Sequence, residues 1–128
     1  MTNPTDLLDL ETIGMLQSLQ RPGMPSVLGR IVSAFERSGE GLIASIEAGL
    51  AENDATAAAD AAHSLKSGAA NAGARSISDA ARQVEASARA GDLDAARAAF
   101  DRVRADWPRV LSAFAGLLDD AEAARRAG

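Results

Sequence analysis

The segment "LDAARAAFDRVRADWPRVLSAFAGLL" occupies residues 93–118, and its apolar residues Leu93, Ala96, Phe100, Val103, Trp107, Val110, Phe114 and Leu117 follow one another in alternating steps of three and four. That spacing keeps all eight on one side of an α-helix, which makes this the most regular amphipathic stripe in the chain. Asp92 is placed to cap its start, and the helix is expected over about 93–121, with "AEAARRAG" at the end fraying. Pro108 lacks a backbone donor and crowds the carbonyl of Arg104, so a kink near Trp107 is expected.

Working back from this helix, similar patterns recur. Ser76 is read as the start of a helix over about 77–90 that carries Ile77, Ala81, Val84 and Ala88 on one face and is closed by Gly91. Before it, Asn53 or Asp54 can cap a helix over about 55–72 that ends at Gly73, a natural left-handed stop. Ser26 can cap a helix over about 26–51 with Leu28, Ile31, Phe35, Leu42, Ile46 and Leu50 at helical intervals, weakened by "SGEG" at 38–41, where a bend or break is expected. Residues 6–19 place Leu10, Ile13 and Leu16 on one face of a short first helix, which "QRPGMPS" terminates.

These four longer helices with short connections predict an all-α fold: an antiparallel four-helix bundle, with the short N-terminal helix as a lid over one end. At 128 residues the chain is read as a single domain, 1–128, with no internal repeat. Composition narrows its function. There is no cysteine, so disulfides, thiol nucleophiles and thiolate metal sites are excluded. The net charge of -5, dispersed arginines, one Trp and no Tyr argue against a nucleic-acid partner. No apolar run approaches membrane-spanning length, and the acidic N-terminus has the wrong composition for a signal peptide, so a cytoplasmic protein without a membrane partner is expected. A monomer is the simpler expectation, since the apolar stripes can be consumed within the bundle.

The single histidine, His63, lies near the middle of the 55–72 helix. Leu65, the one large apolar residue of that helix, is about 160° away around the axis and marks the buried side, so His63 faces solvent. Ala59, Lys66, Ser67 and Ala70 lie within about 60° of the imidazole, with Asp60 at the margin. Apart from the lysine these are small, and they form a low platform that another protein can approach. A metal site would have only carboxylates beside one imidazole, and Ser64 and Ser67 lack the Gly-rich elbow of a nucleophilic serine. His63 itself remains as a nucleophile, with phosphorus as a suitable electrophile. An exposed imidazole is largely neutral at pH 7, so one ring nitrogen can attack while the other keeps its proton. Lys66 can attract phosphoryl oxygens as a point charge worth about 1 kcal/mol or less at a solvated surface. An acceptor against the second ring nitrogen would hold the tautomer. Glu85, on the flank of the next helix, is the candidate, and a plain solvated charge is the other reading of it.

"AHSLKSGAANAGA", Ala62 to Ala74, resembles the signature of histidine-containing phosphotransfer (HPt) domains, in which the phosphorylatable His is followed at +3 by Lys, at +4 by Gly or Ser and at +10 by Gly. His63, Lys66, Ser67 and Gly73 fill those places, and "QVEASARAGD", with Glu85 at +22, is similar to the family's next helix. The likeness extends over roughly residues 8 to 118. It implies a four-helix bundle that carries a phosphoryl group on His63 Nε2 and exchanges it with aspartates of receiver domains, those of a hybrid sensor kinase or a response regulator. It implies no cofactor of the chain's own and no enzyme activity, because the receiver supplies the aspartate and Mg²⁺. By the same resemblance Lys66 assists at the phosphoryl group, Ser67 keeps the approach open and Glu85 orients the imidazole. Two positions depart from the pattern: Ala72 stands where many members carry a larger apolar residue, and Pro108 interrupts the last helix. A second reading is an adaptor bundle that uses the platform to dock a receiver or other partner without phosphotransfer. A third is a module of a larger chemotaxis-type kinase, against which Met1 and the lack of an ATP-binding sequence favour a free-standing protein.

Overall fold

A computed structural model describes residues 4–127, and among these the chain forms six helices: α1 (Pro4–Leu7), α2 (Leu10–Ser18), α3 (Val27–Ala51), α4 (Ala55–Ala72), α5 (Arg75–Arg89) and α6 (Leu93–Ala127). Helices α3 to α6 are the antiparallel bundle. Connections of two or three residues force each helix to fold back on its predecessor, and α6 closes the ring against α3. Every residue of the α6 stripe is buried or half-buried, and Phe35 of α3 meets both Trp107 and Phe114 of α6, with ring centroids 5.1 and 6.3 Å apart.

The caps follow local chemistry. Ser26 Oγ accepts from Gly29 N–H at 3.0 Å, Asp54 Oδ1 from Ala57 N–H at 3.0 Å and Asp92 Oδ1 from Ala95 N–H at 3.0 Å, each satisfying an orphan donor of a first turn. Gly73 adopts a left-handed φ of 82° and ends α4. Ser76 does not cap α5. The helix begins one residue earlier, at Arg75, and Ser76 is buried inside its first turn, where its hydroxyl donates to Asp106 of α6.

Three further expectations are corrected. The N-terminal segment is two helices, broken at Leu8 and Asp9. The break lets Leu7, Leu8 and Ile13 all reach the core while Leu10 turns outward. The pair still lies across one end of the bundle, α1 against α5 and α6, α2 against α3 and α4, and Asp9 N–H donates to Gly73 carbonyl oxygen at 2.7 Å. Helix α3 is unbroken through 38–41, because Gly39 is buried beneath the indole of Trp107, and this packing outweighs the roughly 1 kcal/mol that an interior glycine costs. Helix α6 runs on to Ala127, past the expected end near 121, with Pro108 inside it on the exposed side, and Arg126 pairs with Glu122 at 3.1 Å near the end.

Candidate functional site

Alanine determines how α4 meets its neighbours. Ala58, Ala62, Ala69 and Ala72 are fully or almost fully buried with Leu65, and α5 answers with Ile77, Ala80, Ala81, Val84 and Ala88. Side chains this short bring the two helix axes close together. A long side chain at the edge of α5 therefore spans the seam and reaches the outer face of α4. The antiparallel register follows from the two-residue connection at Gly73 and Ala74: partners descend along α5 as they ascend along α4, with Arg89 at Asp60, Glu85 at His63 and Lys66, and Ser78 Oγ donating to the Lys66 carbonyl at 3.2 Å.

His63 stands out from this seam, its side chain 56% exposed. Its Nδ1 lies 2.9 Å from Glu85 Oε2, while no described residue bonds Nε2. Lys66 Nζ donates to Glu85 Oε1 at 2.8 Å. Arg89 donates to Oε2 through Nη2 at 3.0 Å and Nε at 3.2 Å, and its Nη2 also lies 3.4 Å from Asp60 Oδ1. Glu85 is thus the hub, only 12% exposed, with both oxygens occupied. The Lys66 ammonium on Oε1, and after it the Arg89 guanidinium, hold its carboxyl down at about 2 from an ordinary 4.5, against the opposing effect of burial. Glu85 is therefore a carboxylate at any physiological pH, able only to accept. A neutral His63 must then carry its proton on Nδ1 and leave the Nε2 lone pair facing solvent.

The predicted site residues do not all share one surface. His63, Lys66 and Glu85 are brought together. Ser67 and Ala70 are exposed on the helix that carries His63, and Asp60 is exposed but tied to Arg89. Ala59 is a correction: it is completely buried, covered by the close approach of α5 near Ala88 and Arg89, and contributes nothing to the platform. Gly73 has a second duty besides ending α4, since a Cβ there would lie 2.9 Å from Ile13 Cγ1 and 3.3 Å from the Asp9 carbonyl oxygen in the lid. Arg89 was missed by sequence reasoning; its place one turn after Glu85 is the i, i+4 signal that could have found it. Among the described residues no group of three or more His, Asp or Glu side chains is arranged to hold a metal ion, and no helix is long and apolar enough to cross a membrane.

The Hpt domain family model matches residues 30–126. Among solved structures, the chain resembles a histidine-containing phosphotransfer protein of Medicago truncatula with a TM-score of 0.84, at 17% identity over 97% of this chain and 85% of that one. It resembles the histidine-containing phosphotransfer protein of maize at 0.81, with 23% identity over 91% of this chain and 86% of that one. The histidine-containing phosphotransfer domain of ArcB from Escherichia coli follows at 0.80, with 17% identity over 94% and 99%. No curated protein sequence matches the chain. At these identities the structures speak for the fold, and the family model, which covers most of the bundle and the whole α4–α5 seam, speaks for descent: the chain belongs to the Hpt domain family of phosphocarriers.

Proposed function

We propose that this protein is a histidine phosphotransfer protein that carries a phosphoryl group on His63 Nε2 between receiver-domain aspartates of a phosphorelay. The observation that carries the reading is the bond from His63 Nδ1 to Glu85 Oε2, which leaves Nε2 as the open nitrogen of an exposed ring. In the forward step the Nε2 lone pair attacks phosphorus of an aspartyl phosphate. The N–P bond forms as the P–O bond breaks, and its electron pair leaves with the aspartate carboxylate. The Nδ1 proton stays where it is, so the ring becomes a phosphoimidazolium whose positive charge faces Glu85. The same steps in reverse deliver the group to a second aspartate. Lys66 has three donors and spends one on Glu85, so its charge is available to phosphoryl oxygens arriving one turn away.

The acceptor aspartate and Mg²⁺ are assigned to the partner, a receiver domain of a hybrid sensor kinase or of a response regulator, and the encounter is placed in the cytoplasm. The chain is then a carrier and not an enzyme in its own right. Ser67 and Ala70, with Asp60 at the edge, form the low surface over which a receiver reaches the ring. The test is incubation with a phosphorylated receiver and Mg²⁺. Acid-labile label is expected on the wild type and none on His63→Gln; equal labelling of the two proteins refutes the proposal. A His63→Ala protein that still binds receivers and still signals would favour the adaptor reading.

A further inference from the structure

Glu85 is held by more groups than the imidazole and lysine it serves. Two cations divide its oxygens, Lys66 on Oε1 and Arg89 on Oε2, and Oε2 is the atom that also meets His63 Nδ1. With Lys66 alone the carboxylate could turn about its last bond and carry Oε2 away from the ring. With a second cation on the opposite oxygen, the plane of the carboxylate is fixed. Arg89 is itself half exposed and on the last turn of α5, where a free guanidinium would sample many rotamers. Its contact with Asp60 removes much of that freedom, and Asp60 is on α4, three residues before His63. The chain Asp60, Arg89, Glu85, His63 therefore starts and ends on the same helix face and crosses the seam twice.

We infer that Arg89, tethered by Asp60, is a positioning residue that holds Glu85 Oε2 against His63 Nδ1 and so selects Nε2 as the nitrogen that accepts phosphate. An unassisted neutral histidine ring prefers its proton on Nε2, which would present the wrong nitrogen. Only an acceptor fixed at Nδ1 reverses that preference. The tautomer part of this inference stands on geometry alone, whereas its consequence for phosphotransfer rests on the carrier reading above.

The experiment compares wild type, Arg89→Met, Arg89→Lys and Asp60→Asn by ¹⁵N–¹H correlation of the His63 ring at a pH where it is neutral, alongside labelling by a phosphorylated receiver. The wild type is expected to be predominantly the Nδ1–H tautomer. Arg89→Met is expected to lower the ratio of Nδ1–H to Nε2–H, and the labelling rate with it, by about 3- to 10-fold, the value of one charge-assisted hydrogen bond at a partly exposed site. Arg89→Lys should fall between the two, because an ammonium keeps the charge but does not reach Oε2 and Asp60 together; Asp60→Asn should move the ratio in the same direction by less. Circular dichroism checks that each variant is folded, and if Arg89→Met is not, the lysine variant carries the test. A wild-type tautomer ratio in a folded Arg89→Met or, failing that, in Arg89→Lys overturns the inference even when His63 is labelled. A shifted ratio with no labelling of the wild type leaves the positioning role standing and removes the phosphocarrier reading instead.

Discussion

Replacing Glu85 by glutamine preserves the shape of the side chain and removes its charge, so the substitution isolates what the carboxylate contributes. In the native protein Oε1 accepts from Lys66 and Oε2 from both His63 and Arg89. A glutamine offers one acceptor oxygen, and its amide N–H groups must then face a donor, so at least one contact turns repulsive. The depression of the carboxyl from 4.5 to about 2 sets an upper limit of about 3 kcal/mol on the stability it supplies at neutral pH. Lys66 and Arg89 are 29% and 49% exposed, so solvent screens both pairs and about 1–2 kcal/mol is expected to remain. The sign follows from linkage. The folded value lies below the unfolded one, so the contribution is complete above about pH 5 and declines as pH falls through 4.5 toward 2, with about two fifths left at pH 3. Urea denaturation of wild type and Glu85→Gln at pH 7 and pH 3 measures this directly. The stability gap should be present at pH 7 and shrink by more than half at pH 3. A gap of equal size at both values, or none at pH 7, refutes the assignment of Glu85 as an ionised hub. In phosphotransfer the same variant loses the anion facing the developing imidazolium, and the rate should fall by about 5- to 30-fold.

Two substitutions probe the frame around the site. Gly39→Ala places a Cβ 3.0 and 3.1 Å from Cζ3 and Cζ2 of Trp107 and closer still to Cη2, so the indole must move. Overpacking of about 1–3 kcal/mol set against a helix-propensity gain of about 1 kcal/mol predicts a net loss of up to about 2 kcal/mol, with a change in the emission of the single tryptophan; unchanged emission would contradict the packing. Gly73→Ala combines a left-handed φ of 82° with a Cβ 2.9 Å from Ile13 Cγ1, and about 2–4 kcal/mol of destabilisation is expected by thermal or urea unfolding, together with faster hydrogen exchange at the Asp9 amide that bonds the Gly73 carbonyl.

Much of the bundle was legible in the sequence because it depends on local rules. The stripe from Leu93 to Leu117 points one way at 100° per residue whatever surrounds it, and Ser26, Asp54, Asp92 and Gly73 act within a turn of their own positions. The same geometry turned His63 outward, opposite the buried Leu65. The failures share a cause. Leu10 faces inward only if one helix runs unbroken from 6 to 19, and "SGEG" is a weak point only by propensity, which takes no account of a tryptophan 68 residues away in the chain. Ser76 has the composition of a cap but donates to Asp106 on another helix. Ala59 lies close to His63 in azimuth, yet α5 covers it.

The sequence by itself therefore determined an all-α bundle, the N-terminal caps of α3, α4 and α6, and an outward histidine with Lys66 one turn away, since each follows from periodicity and short-range hydrogen bonding along one helix. Only the tertiary structure decided that Glu85 bonds Nδ1, that Lys66 and Arg89 divide its two oxygens, and that Asp60 ties Arg89 back to α4. Those contacts depend on the separation and register of two helices, which are set by how closely small side chains allow them to pack, and no spacing within either helix encodes that distance.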